Sequence, residues 1–384
     1  MEITQLNLRH LSAVAEISRL GSISAAAQSV HLTQPAITQA LGKLECLLGL
    51  SLFNRTPTGM TSTAASALLV PRIVAAHDYI ASPRVTMTQL RAFIALARAG
   101  SYKSAAYVTG LAQASLHRAV TELSLALART LVERRGQGLV LTAYGRQTAR
   151  AFRLALAELE AGLSELMALK GRETGYIAIG AMPLARARIL PKAVAAFHHL
   201  HPDVEIKIAE GAHAELLEPL RDGDLDLLIG ALRDTSPGDD VVQQQLFEDR
   251  PVVLGRTGHP LADGKSDVER FSAYPWIISA PGTPLRTQLE RMFTEAGIGP
   301  PHVPIECGSV ITIRQILLES DFLTLLSTDQ VAVELEAGWL TKICDVPIDL
   351  VRVIGITTRT SWVPTRKQQT FLELIAQIAV ANFA

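Results

Sequence analysis

Hydrophobic positions follow two rhythms along the chain. As far as about residue 170 they recur at helical spacing; from Gly175 short apolar runs alternate with helical stretches. Leu8, Leu11, Val14 and Ala15 give a first helix one apolar face. Gly21 interrupts it, and Ser22 can cap a short helix reaching Val30. His31 and Leu32 form a tight turn. Thr33 then caps a helix predicted over 34–48, with Pro35 near its start, where a missing N–H costs nothing. Ala36, Ile37, Leu41, Leu44 and Leu48 face inward, leaving Gln34, Thr38, Gln39 and Lys43 outward. Leu52-Phe53 and Met60–Ser62 flank a Thr-Pro-Thr-Gly turn and predict a small hairpin. Two short helices joined by a tight turn, after a supporting helix and before a hairpin, make a winged helix-turn-helix.

The same pattern returns. Residues 21–64 align without gaps with 100–143, and fourteen of the 44 pairs are identical, among them Gly21/Gly100, Gln34/Gln113, Arg55/Arg134, Gly59/Gly138 and Thr63/Thr142. Leu8-Arg9 matches Leu90-Arg91 at an offset of 82 rather than 79, which predicts three extra residues before Gly21 in the first copy. A duplicated unit of about 60 residues follows. Residues 149–169 predict a long helix, with Phe152, Leu156, Leu159, Leu163 and Leu166 in one apolar stripe that wants a partner helix. Beyond Gly175, strands at 176–180, 204–209 and 226–230 alternate with helices at 188–200 and 214–222, and a second alternation runs from 275 to 337. Such alternation predicts a parallel sheet covered by helices. The segments 340–344, 351–358 and 365–379 are expected to return to the first of two lobes.

Composition adds charge to this picture. The 384 residues carry a net charge of −1, yet residues 1–150 hold 15 Lys and Arg against 6 Asp and Glu (+9), and the remainder hold 21 against 31 (−10). A basic front on an acidic rear points to an anionic partner bound at one end, and double-stranded DNA fits the helix pairs. Gln can bond adenine in a bidentate way and a Thr methyl can touch thymine, while Lys43 and Arg55 would neutralise phosphates. No run approaches the roughly 20 apolar residues of a membrane span, so no membrane partner is expected. The start lacks the basic-then-apolar order of a signal peptide. Three unclustered cysteines (Cys46, Cys307, Cys344) predict neither a disulfide framework nor a zinc ribbon, and a cytoplasmic setting is expected.

At this point the chain resembles the LysR-type transcriptional regulators. The resemblance rests on Leu8-Arg9, Gly21-Ser22 through Ala27, Leu32-Thr33-Gln34-Pro35-Ala36-Ile37-Thr38, Leu44-Glu45, Leu52-Phe53-Asn54-Arg55 and Thr63. Further on it rests on Ile189-Leu190-Pro191, His201-Pro202-Asp203-Val204, Leu220 through Asp226, and Gly258-His259-Pro260-Leu261. A family member normally has one such module, so this chain is a tandem variant. The second copy lacks the Gln-Pro-Ala step and has Ser124 in place of Glu45, but residues 83–150 carry ten Lys and Arg against two Asp and Glu. The resemblance implies two winged helix-turn-helix modules (1–66 and 84–147), a connecting helix (67–83), a linker helix (148–171) and a two-lobed α/β effector domain like the periplasmic binding proteins (172–384). Lobe I is expected over about 172–250 and 340–384, and lobe II over about 256–330. In the family the linker helix pairs two subunits, so a homodimer or homotetramer is expected, with RNA polymerase a candidate further partner.

The DNA-contacting set is then Ser22, Thr33, Gln34, Pro35, Thr38, Gln39, Lys43 and Arg55, with Ser101, Lys103, Gln113, Ser115, His117, Arg118 and Arg134 from the second copy. The first copy is expected to read bases and the second to hold the backbone or to serve in packing, with the reverse assignment left open. Ligands in two-lobed folds sit at the carboxyl ends of strands. That places Ala181, Met182, Pro183 and Ala231 on one wall and Ala280, Gly282, Thr283, Ser309, Thr312 and Ser327 on the other. A small organic acid or sugar-like metabolite is the expected effector. No cofactor and no metal are expected: His198, His199 and His201 read as a helix end, and Asp222, Asp224 and Asp226 as a solvated turn. Cys307 reads as a small apolar residue. No nucleophile motif appears, so no catalytic residue is assigned. Two other readings stand beside this one: a solute-binding protein using only the lobes, and an α/β enzyme with N-terminal interaction modules.

Overall fold

The computed structural model describes residues 3–57, 59–135, 138–172, 174–233, 235–262, 267–346 and 351–383. A short 3-10 turn (Ile3–Gln5) precedes α1 (Leu8–Leu20), which Asn7 caps by accepting from the Arg9 N–H at 2.9 Å. Then come α2 (Ile23–Ser29), α3 (Gln34–Leu48), the hairpin β1 (Phe53–Thr56) and β2 (Gly59–Ser62), and α4 (Ala64–Ile80). The hairpin turn expected over 56–59 includes Thr58, outside the described residues. The second copy supplies α5 (Met87–Ala99), α6 (Tyr102–Thr109), α7 (Gln113–Leu127), β3 (Val132–Arg135), β4 (Gly138–Leu141) and α8 (Ala143–Leu169).

Each of these elements starts 79 residues after its counterpart, α5 included. The three-residue insertion expected before Gly21 is therefore absent. Burial sets the register: Leu8, Leu11, Ala13, Val14 and Ile17 are buried on α1, and Met87, Leu90, Ala92, Phe93 and Leu96 on α5. The repeated Leu-Arg pair is a coincidence of sequence. The copies agree in small details. Thr63 donates to the Ser51 carbonyl at 2.7 Å and caps α4; Thr142 donates to the Thr130 carbonyl at 2.8 Å and caps α8.

The apolar stripe of α8 does not await a second subunit. It lies along α4 of the same chain. A Cβ on Gly162 would stand 3.1 Å from the Leu69 side chain and 3.2 Å from the Arg72 Cβ, so the missing side chain lets the helices approach. One continuous core runs from Leu6 to Leu166 through both copies.

Two compact units are formed, residues 1–175 with 203–205 and 222–224, and the rest of 176–384. The second unit contains β5 (Tyr176–Ala181), α9 (Ile189–Leu200), β6 (Glu205–Glu210), α10 (His213–Arg221), β7 (Leu227–Ala231), β8 (Val241–Asp249) and β9 (Pro251–Arg256). It continues with α11 (Val268–Phe271), β10 (Ile277–Ile278), α12 (Pro284–Glu295), β11 (Ile305–Glu306), α13 (Val310–Leu318) and β12 (Thr324–Ser327). A 3-10 turn (Thr328–Val331), α14 (Ala332–Glu336), β13 (Leu340–Asp345), β14 (Arg352–Arg359) and α15 (Arg366–Phe383) complete it.

The first lobe is a five-stranded sheet of order β6-β5-β7-β14-β8. It is mixed, not parallel as expected: β5 and β7 run parallel, but β14 is antiparallel to β7 and to β8. β14 re-enters the sheet from the other lobe and inserts between β7 and β8, running against both. The second lobe centres on β9, antiparallel to β12 and β13, beside the parallel pair β10 and β11. Residues 340–345 thus belong to the second lobe rather than the first. After α14 the chain meets the open edge of β9 before it crosses back. The lobes have separate cores, Trp276, Phe271 and Phe293 among the residues of the second, and Leu216, Leu220 and Leu228 of the first.

Candidate nucleic-acid interface and ligand cavity

Helix α3 is aimed by its ends. Thr33 Oγ1 accepts from the Ala36 N–H at 3.4 Å, Pro35 sits in the first turn, and His31 takes the left-handed conformation (φ 54°) that closes the turn from α2. Ile37, Ala40, Leu41, Leu44 and Leu48 bury one face. Gln34, Pro35, Gln39 and Lys43 are exposed on the other; Thr38 is half-buried, with its hydroxyl donating to the Gln34 carbonyl at 3.0 Å. Ser24 donates to Gln34 Oε1 at 3.1 Å and so orients the amide. Ser22 serves as the cap of α2. Glu45 Oε1 accepts from the Leu52 N–H at 2.7 Å and steadies the hairpin that presents exposed Arg55.

In the second copy Ser101 caps α6 through the Ser104 N–H at 3.1 Å, and Lys103 stays exposed. The recognition helix α7 has no side-chain cap, because Ala112 stands where Thr33 does. Gln113, Ser115, His117 and Arg118 are exposed along it, with the His117 ring 5.1 Å from that of Tyr102. Arg134 is exposed on β3. Arg146 donates to the Leu141 carbonyl at 2.8 Å and Arg129 lies over the Tyr144 ring, so both are tied to the fold.

The second unit holds a cavity of about 470 Å³ that is partly open to solvent. That is within the range of small-molecule sites. Its floor is apolar: Met182, Leu184, Ile278, Leu285, Val310, Ile313 and Leu326. The starts of α10, α12 and α13 open onto it through His213, Thr283 and Ser309. Helix N-termini favour anions. Of the residues expected from sequence, Met182, Pro183, Ala231, Ala280, Thr283 and Ser309 line the cavity. Ala181, Thr312 and Ser327 are not on its wall: Ala181 is fully buried, Thr312 bonds Ser309 Oγ, and Ser327 caps the 3-10 turn after β12.

Sequence reasoning missed charged and polar members of the wall: Arg186, His213, the carboxylate Glu215, Arg233, Ser279, Gln330 and Arg352. Arg186 pairs with Glu210 at 2.5 Å, and buried Arg352 with Asp249 at 2.9 Å. Among the described residues His213 Nε2 is buried and has no protein partner. Burial, with the Arg233 and Arg221 charges adding to it, holds the His213 pKa below the usual histidine value. Cys307, read as a small apolar residue, also lies on the wall. Asp226 is not the solvated group expected: its carboxylate accepts from the Ala178 N–H at 2.8 Å, and burial pushes its pKa up.

Helix-turn-helix units ahead of a two-lobed α/β domain with a ligand-sized cleft define a ligand-sensing transcription regulator. The chain matches the bacterial regulatory helix-turn-helix protein family of LysR type over residues 8–67 and again over 87–146, and the LysR substrate binding domain over 170–379. It belongs to the LysR family of DNA-binding transcriptional regulators, which are not enzymes. The HTH-type transcriptional regulator GalR of Pseudomonas putida is 30% identical over 385 residues, covering 97% of both chains. The regulator CfxR of Cupriavidus necator is 31% identical over 271 residues, covering 70% of this chain and 84% of that one. CbnR complexed with its target DNA shares the fold with a TM-score of 0.55 at 18% identity, over 76% of this chain and 98% of that one. LysG of Corynebacterium glutamicum with bound effector Arg gives 0.55 and 18%, over 77% and 98%. Among the described residues no helix is long and apolar enough to cross a membrane.

Proposed function

We propose that this regulator binds promoter DNA through the exposed faces of α3 and α7 and the two hairpins, and that a small organic acid in the cavity modulates that binding. The observation that carries the effector class is the cavity itself. An apolar floor is ringed by three helix N-termini, Arg186, Arg233 and the unpartnered His213 Nε2. An acid with an apolar body satisfies both parts, whereas a sugar would bury its hydroxyls against Met182, Leu184 and Ile313. The DNA bound by CbnR and the arginine bound by LysG support the general scheme. Effector binding would shift the two lobes between arrangements and pass the change to the DNA-bound modules. The regulator would act in the cytoplasm as a dimer or tetramer assembled through surfaces other than the α4–α8 seam, with RNA polymerase as a further contact. A thermal-shift screen of small carboxylates against matched amides and sugars tests the effector class. Acids alone should raise the melting temperature; a response to sugars alone would refute the class.

A further inference from the structure

We infer that a single chain is itself the paired DNA reader: α4 and α8 hold its two helix-turn-helix modules about a local two-fold axis, and both modules engage one DNA duplex. This rests on the DNA-binding reading above. The duplication runs in register from α1 to the start of α8, so α4 and the first part of α8 are equivalent helices. They pack antiparallel. Lys170, at the end of α8, donates to the Leu48 carbonyl of the first module, whose Leu52 carbonyl accepts from the Thr63 N–H at the start of α4. Further along, Arg72 of α4 meets Glu158 of α8, so that as α4 advances from Thr63 to Arg72 its partner recedes from Lys170 to Glu158. Antiparallel packing of two equivalent helices is the geometry of a dyad, and a two-fold protein suits a two-fold DNA site. The seam is closed and specific: Arg72 is buried in it, with Nη1 2.9 Å from Glu158 and Nε 3.4 Å from Glu165.

The second module keeps what a reader needs. Gln113 and Arg118 are exposed at the positions of Gln34 and Gln39, and Arg134 at that of Arg55. A copy retained only for packing would gain nothing from ten basic residues against two acidic ones, which repel one another. The two reading faces differ, so the site for one chain has two unlike halves, one discriminating bases and the other gripping phosphates.

Footprinting of the full-length chain on its own promoter tests the DNA half of the claim. The wild type should protect two adjacent segments. Gln34→Ala with Gln39→Ala should erase one, and Gln113→Ala with Arg118→Ala the other. If the second variant, melting like the wild type, keeps both segments at wild-type affinity, the inference falls while DNA binding stands. If the wild type protects nothing, both readings fall. Cross-linking tests the single-chain half. A chain carrying Lys170→Cys and Cys307→Ser keeps exposed Cys46, two residues before the Leu48 carbonyl that Lys170 reaches, and leaves the core untouched. A short flexible bismaleimide should yield a cross-linked monomer that still protects both segments. A covalent dimer, or no cross-link between these positions, would overturn the inference.

Discussion

Two positions in the duplicated region show how one backbone serves two sequences. The turn before each recognition helix needs a left-handed residue, supplied by His31 in one copy and Gly110 in the other; the end of each recognition helix needs another, Gly49 in one and Ala128 in the other. A Cβ in that conformation costs roughly 1–2 kcal/mol. Ala128→Gly should therefore stabilise the protein by about 1 kcal/mol, and His31→Gly by a similar amount; urea unfolding with an unchanged slope checks this. His213 gives the pH dependence. Burial lowers its pKa below the 6.5 it has when unfolded, so between the two values the unfolded chain binds a proton that the folded chain does not. Stability is then fully present above that value and falls as the pH drops below it. His213→Gln should flatten part of the decline in melting temperature between pH 7.5 and 5.5, and His213→Leu should weaken binding of an acid effector about tenfold through the lost cavity hydrogen bond. Residues of the first reading helix were legible because caps and turn residues announce themselves: Ser22, Thr33 and Pro35 stand where expected. Arg186, Arg233 and Arg352 were not, because an arginine in the loop after a strand or at a strand's start looks like any surface charge until the far lobe faces it.

At the scale of elements, the α4–α8 pair decides how the front of the molecule is built. Sequence showed that α8 carries an apolar stripe, but a stripe does not name its partner. The occupant was written in α4, whose Leu69, Ile73, Ala76 and Ile80 are buried at helical spacing. Arg72 would read as a surface charge by type, yet it is 5% exposed. Burial opposes its charge, and the Glu158 and Glu165 carboxylates more than offset this, holding its pKa above the ordinary value. Arg72→Met should leave two carboxylates without their cation and cost about 3–5 kcal/mol. Arg72→Met with Glu158→Leu and Glu165→Gln should recover much of that loss, measured by chemical unfolding. Ala112→Ser should cap α7 and add about 1 kcal/mol. The lobes were legible as alternating elements, but their sheet pairing was not. Antiparallel β14 and the placement of β13 depend on where the chain crosses between lobes, and local periodicity carries no record of that.

At the scale of the whole molecule, the charge division is the physical basis of function. A front that carries +9 binds DNA largely through released counterions, so affinity should fall steeply with salt. Arg118→Ala should weaken binding to all sequences alike and reduce the salt slope by about 1, whereas Gln34→Ala should relax the preference for one base pair. Filter binding at several salt concentrations separates the two. Function in this chain turns on coupling between the cavity, with an acid bound, and the DNA-binding modules. The most direct test of that coupling is a footprint of the full-length protein on its promoter, with and without a carboxylate that raises its melting temperature. The acid should move or resize the protected region while unrelated acids do not. An identical footprint with every such ligand would contradict it.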